Sequence, residues 1–408
     1  YSLTNPNLRS FCLSLYVRAG SIFEDLSNNG ISHLFEHVVF RNIKNKYENF
    51  YELLAMHGLC FQGSTYKKFV SFTIDGPQRE FDVAIEILCG LFDEIKLTSH
   101  DFNNEKGRIK AEIREKDRRS SLDFYFDSIV WKNSEVEKIV LGYCKTVDRV
   151  SVKKINEFRQ KVLSAGNCFV YATGNISDEN LDALNKKISE LDISQSNPGF
   201  TNTVTVNNEF FHREKKIWIK NNYWHYILIG FDVDCSKYPG GVYGLLYALL
   251  FNGDKALVYN YLSEDNPIIY SYDSTFEQYD NVGNINFSFE VDRNKIEDVF
   301  KTVVELLNAA KDGRFNFEAN LNYEMFNWEL DLDNPDNLNW NMAYYNHILK
   351  TQSIDYSDEF YGRFRVTKEQ IIDAAKYIFR RCNMTVAVKG DRKKINAEAI
   401  EKILESLD

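Results

Sequence analysis

The sequence predicts an α+β fold of two duplicated α/β-sandwich domains, each a mixed sheet with helices packed on one face. Three observations predict it. Strand and helix patterns alternate along all 408 residues, with some strands adjacent as in hairpins. Two stretches of the second half echo two of the first. A polar segment separates the halves.

The first echo is VSVKKINEFRQKVLSAGNCFVYATGN (150–175) with VTKEQIIDAAKYIFRRCNMTVAVKGD (366–391), which sets an offset of 216 in the numbering. Each reads as an amphipathic helix, a turn and a buried strand ending in glycine. The second is VSFTIDGPQREFDVAIEILCGLF (70–92) with INFSFEVDRNKIEDVFKTVVELL (285–307), an alternating strand, a turn and an apolar-faced helix. Pairing Asp75 with Asp292 sets that offset at 217. Near-equal offsets from two separate pairs argue for duplication. The Asn- and Thr-rich stretch 192–210, with Pro198 and Gly199, reads as the connection. The expected division is therefore 1–195, a linker at 196–210, and 211–408.

Within the first half, residues 28–42 are expected to be helical, 57–72 (HGLCFQGSTYKKFVSF) to contain an ordinary strand, and 103–119 to form a strongly polar helix. In the second half the apolar run YGLLYALLF (243–251) is far shorter than the roughly 20 residues that span a bilayer, so no membrane span is expected. With 44% hydrophobic residues the chain can bury a large core. Its 49 basic residues are scattered among 59 acidic ones, a balance of −10 that argues against a nucleic-acid partner. Seven dispersed cysteines without a C-x-x-C read as reduced thiols in a cytoplasmic protein. The sequence opens at Tyr1 in mid-pattern, so a preceding segment is expected and a signal peptide stays open there.

The stretch GISHLFEHVVF (30–40) gathers two of only seven histidines around a glutamate. On a helix, His33, Glu36 and His37 share one face within a turn. Two imidazoles that converge suit zinc, whose catalytic sites take three protein ligands and leave a position for water. A carboxylate beside them can serve as general base, the role expected of Glu36. A shuffled sequence of this composition would hold about 0.02 copies of H-x-x-E-H, so a chance helix face explains the pattern poorly. His57, His100, His212, His225 and His347 stand alone and receive no role. A third ligand is required, and Glu105, Glu112 and Glu115 are available on the polar helix. Glu105 and Glu112 share one side of it with Ile109. The duplicate of the motif is absent: the first offset carries His33 and His37 onto Leu249 and Gly253.

The motif, preceded by Gly30 and followed by an apolar run to Phe40, resembles the pitrilysin/insulinase family of zinc peptidases, the inverzincins, and the processing-peptidase branch in size. The resemblance implies a clam-like pair of halves around a chamber and one zinc ion per chain. It also implies a glutamate ligand on a later helix, at the spacing that separates Glu112 from His37, with another glutamate two helical turns before it. Glu112 and Glu105 stand at those positions, Glu105 supporting the ligands from behind, while Glu115 lacks such a partner. It further implies an edge strand that binds extended peptide by adding it to the sheet, with Gln62, Gly63 and Thr65 at the matching positions.

In the second half, self-sufficient members carry an Arg and, seven residues later, a Tyr that hold the substrate. Here LSEDNPIIYSY keeps Tyr270 but has Ser263 in the Arg position. Serine supplies neither the charge nor the fork of donors. The chain therefore resembles the metal-bearing member of a heterodimer whose homologous partner supplies the Arg/Tyr clamp, a homodimer staying open. The expected activity is a zinc endopeptidase for small or unfolded peptides, such as a leader or precursor peptidase. The alternatives are a non-catalytic core subunit and a peptide-binding module of the same fold.

Overall fold

The computed structural model describes residues 1–116, 121–195, 199–200, 214–348 and 365–407. Apart from Gly199 and Phe200, the expected linker at 196–210 lies outside the described residues, as does His212.

Two five-stranded mixed sheets form the frame. The first contains β1 (Ser2–Thr4), β2 (Ser10–Arg18), β3 (Cys60–Thr65), β4 (Phe69–Pro77) and β5 (Cys168–Gly174), in the order β1-β5-β2-β4-β3. The second contains β6 (Ile217–Asn221), β7 (Tyr226–Asp234), β8 (Tyr272–Tyr279), β9 (Val282–Glu290) and β10 (Met384–Gly390), in the order β6-β10-β7-β9-β8. In each, the first strand joins its neighbour in parallel and every other pairing is antiparallel. The duplication read from the sequence is thus a duplication of topology.

The second offset needs a correction. Leu13 pairs with Ile74 in the first sheet and Ile229 with Phe287 in the second. Matching Leu13 to Ile229 keeps the first offset, but it matches Ile74 to Phe287, which is four positions short of the offset set by Asp75 and Asp292. Those two aspartates share a place in the pattern, not in the ladder, because Asp292 lies beyond the end of β9.

Helices cover one face of the first sheet: α1 (Ile31–Lys46), α2 (Phe50–His57), α3 (Phe81–Gly90) and α4 (Ser99–Glu115). Strand alternation explains the core between them. Phe11, Leu13, Leu15 and Val17 of β2 point to this face and pack with Leu34, Phe35 and Val38 of α1 and Leu88 of α3.

The intervening β2 residues Cys12, Ser14 and Tyr16 are also fully buried, so the second face needs cover too. Helix Pro335–Ala343 supplies it. Its Asn339, wholly buried, donates to the Cys12 and Tyr171 carbonyls at 3.2 and 3.1 Å and accepts from the Tyr16 hydroxyl at 3.0 Å. In the second sheet, α5 (Leu122–Val130) packs on β7 and β10, with Phe126 directly over Gly230.

Compact units therefore differ from contiguous halves. One comprises Tyr1–Asp117, Glu135–Asn202 and Glu329–Gln352; the other comprises Arg118–Ser134, Thr203–Trp328 and Ser353–Asp408. The halves 1–195 and 211–408 differ from this division in two segments, each of which carries the helix that covers a sheet's second face.

Candidate metal centre

The site begins with how α1 starts. Its N-cap, Gly30, has φ +96° and lies so close to the neighbouring backbone that a Cβ would stand 2.8 Å from the Gly142 Cα. No cap side chain serves the first turn. Instead the buried Glu24 carboxylate accepts from the Gly30 and Ser32 amides at 2.7 and 2.8 Å and from Asn29 Nδ2 at 2.7 Å. A carboxylate there satisfies orphan donors and complements the helix dipole. Glu24 belongs to no spacing motif, so the sequence reading missed it.

From this fixed start, 3.6 residues per turn brings His33, Glu36 and His37 to one face. The polar helix α4 runs alongside. Its Thr98 cap accepts from the Asp101 amide at 3.1 Å, and Asp101 binds Arg41 of α1 at 2.7 Å. That pair, which the sequence reading also missed, ties the helices together one turn from the histidines.

The three glutamates of α4, open alternatives from residue type alone, separate by position. Glu112 Oε2 lies 3.5 Å from His33 Nε2. Glu105, buried, places Oε2 3.6 Å from His37 Nδ1. Glu115 is exposed and belongs to neither contact. One donor atom each from His33, His37 and Glu112 fall within 4.8 Å of one another. Donors at zinc distances of about 2.0–2.1 Å in a tetrahedron stand roughly 3.4 Å apart, so this N, N, O set fits a divalent ion. With Glu105 facing Nδ1 of His37, Nε2 of that ring is left for the ion.

The two rings are shifted in opposite directions. Burial pushes His33 down to about 3, with the neighbouring His37 and Lys116 adding to it, so its ring is neutral as a ligand must be. Burial also acts to lower His37, but the Glu105 contact and the charges of Glu36, Glu105 and Glu112 outweigh it and raise it. Burial raises the Glu36 carboxyl, against the opposing effects of His37 and of Thr65. The Thr65 hydroxyl donates to Glu36 Oε2 at 2.9 Å. A carboxyl shifted toward neutrality is a better general base.

The strand β3 lies at the edge of its sheet, next to β4 alone. Gln62 is exposed on it, whereas Gly63 and Thr65 face Glu36. A cleft of about 160 Å³ beside Glu36 and His37 is lined by Phe40, Arg41, Lys44, Tyr51, Glu105 and Arg108. Tyr270 and Ser263 belong to the other unit, where Tyr270 is 97% exposed and Ser263 half-buried. Leu249 is buried in the second core, with no ligand chemistry. Cys12, Asp75 and Asp336 form another close group, in which the Cys12 thiol donates toward Asp336 at 3.8 Å.

Two family models match the chain between residues 2 and 319. The family model described as Insulinase (Peptidase family M16) matches residues 2–142, and that described as Peptidase M16 inactive domain matches residues 149–319. The chain belongs to peptidase family M16. The M16 chain is 23% identical over 180 residues to the mitochondrial-processing peptidase subunit beta of Saccharomyces cerevisiae, a match covering 43% of this chain and 39% of that protein. It is 21% identical over 209 residues to cytochrome b-c1 complex subunit 1 of Mus musculus, covering 50% and 44%. It thus spans less than half the length of these curated relatives. Among solved structures, a protease from Helicobacter pylori superposes with a TM-score of 0.81 at 16% identity, over 95% of this chain and 96% of that one. The M16 fold of two mixed sheets with helices is thereby shared over nearly the whole chain. Both histidines, Glu36 and Glu112 lie in the part matched by the insulinase model.

Proposed function

We propose that this M16 chain is a zinc-dependent endopeptidase of the processing type, acting on small or unfolded peptides presented in extended form. One observation carries the reading: His33, His37 and Glu112 converge within 4.8 Å, while Glu36 stands on the same helix face with a carboxylate free of ion pairs among the described residues. When bound, zinc supplies Lewis acidity that polarises water and a peptide carbonyl. The chain's own residues do the rest. His33 and His37 each offer Nε2, and Glu105 fixes the second ring from its Nδ1 side. Glu36 takes the proton from the attacking water and returns it to the leaving amide nitrogen. The exposed edge of β3 offers main-chain groups to an extended peptide, which supports the role given to Gln62, Gly63 and Thr65.

The ligand set is tested by metal content and turnover of a quenched peptide. His33→Ala, His37→Ala and Glu112→Gln are expected to lose zinc and cleavage together, while Glu115→Gln retains both. Equal zinc loss in the Glu112 and Glu115 variants would undo the assignment. Glu105→Gln is expected to weaken zinc binding about 10- to 100-fold, because the ring it orients is left looser. Chelator competition measures that difference.

The second reading is a non-catalytic core subunit, favoured by the likeness to the b-c1 subunit and by the match to the inactive-domain model. A protein that takes up no zinc and turns over no peptide, alone or with a homologous partner, would support it. We propose further that the partner is a homologous chain with an Arg/Tyr clamp, since Ser263 stands where such an Arg is expected.

A further inference from the structure

We infer that Thr65 is a positioning residue for Glu36, with Gly63 giving the clearance this requires, so that the edge strand β3 orients the base as well as offering an edge to peptide. The inference rests on the proposed role of Glu36.

The geometry is a strand face laid along a helix face. Period-2 alternation puts Phe61, Gly63 and Thr65 on one side of β3. Helical spacing puts Glu36 and Phe40 on one side of α1. Phe61 stacks on Phe40 with centroids 4.8 Å apart and planes 8° apart, which anchors β3 against the helix. Two residues along, an added Cβ at Gly63 would stand 2.9 Å from Glu36 Oε1 and 3.0 Å from its Cγ. Two further, the Thr65 hydroxyl donates to Oε2 at 2.9 Å, the only hydrogen bond to this carboxylate among the described residues. One oxygen is therefore held and the other, over Gly63, is left to accept a proton. A β-branched threonine is well suited to hold a donor in place, because its χ1 is restricted. Without the bond, a glutamate has three side-chain torsions to explore and its acceptor oxygen is no longer fixed.

The test compares Thr65→Val, which keeps the shape and removes the donor, with Thr65→Ser, which restores it, and with Gly63→Ala. Zinc content, kcat and KM are measured on the zinc-loaded protein, with its partner where turnover requires one. Binding of a short peptide hydroxamate, whose hydroxyl proton a base at Glu36 would accept, is measured in parallel. Thr65→Val is expected to retain zinc, to keep KM within about twofold and to lose about 10-fold in kcat, as for one hydrogen bond to a charged group. Thr65→Ser should recover most of the loss. Gly63→Ala should lower kcat with zinc retained. The hydroxamate should bind more weakly to the valine variant and recover with serine.

Should no peptide be cleaved even by the unaltered protein, the peptidase reading fails, and the hydroxamate series still decides the role of Thr65. Valine and serine variants that match the original in both kcat and hydroxamate affinity overturn the inference. So does loss of zinc from Thr65→Val, which would make the residue a structural support of the ligands.

Discussion

Glu36→Gln is expected to keep its zinc and lose peptide turnover by about 10²-fold or more. The amide preserves shape and volume at a half-buried position, and its carbonyl oxygen can still accept from Thr65, so packing between α1 and β3 survives. What disappears is the proton acceptor. The metal stays because no hydrogen bond or ion pair among the described residues links Glu36 to His33, His37 or Glu112, whose close polar approaches come from one another, from Glu105 and from Lys116. Elemental analysis and a fluorogenic peptide assay on the same preparation decide the matter. Zinc retained with turnover within a few-fold of the original means that another group takes the proton.

The second large effect concerns the clamp proposed to come from a partner. The isolated chain is expected to bind zinc and cleave poorly, and a homologous partner carrying the Arg/Tyr pair is expected to raise turnover about 10²-fold, the scale on which a misplacement of about 1 Å acts. Ser263 is half-buried and short, and cannot reproduce a bidentate cation. The gain should saturate at a fixed stoichiometry and vanish when the partner's Arg is replaced, with zinc content unchanged. Ser263→Arg should not fully rescue the single chain. If that chain alone already reaches kcat/KM of roughly 10⁴ M⁻¹s⁻¹ or above, the two-subunit proposal is wrong.

Legibility in the sequence followed the range of the interactions. The first turns of α1 could be read because spacing within one helix is fixed by its geometry: His33, Glu36 and His37 needed only the period. The paired sheets could be read from repeats of strand and helix pattern. The residues of α4 could not rank Glu105, Glu112 and Glu115, since each is an acid on a polar helix. Only the neighbouring α1 distinguishes them, by bringing His33 to one and His37 to another. The family resemblance had already pointed to Glu112, through a spacing whose physical cause lies in that helix pairing. By resemblance Thr65 belongs to a peptide-binding edge, and its bond to Glu36 is illegible in the sequence because it joins a strand to a helix with no shared period. Glu24 is illegible for another reason: it lies in the loop just before α1 and caps the helix from outside any helical period. The error in the second offset came from matching similar patterns without knowing the ladder, in which Ile74 and Phe287 hold the same place.

Helix Pro335–Ala343 bears on how such a chain comes into being. Translation delivers the first sheet early, but the segment that seals its second face leaves the ribosome only after most of the second sheet's strands. Until then Tyr16 and Tyr171 line an aromatic surface with no lid, of the kind that chaperones bind and that aggregates at high concentration. A gene cut between the halves would therefore encode an orphan, which holds all the proposed metal ligands and lacks the cover its first sheet needs to finish folding.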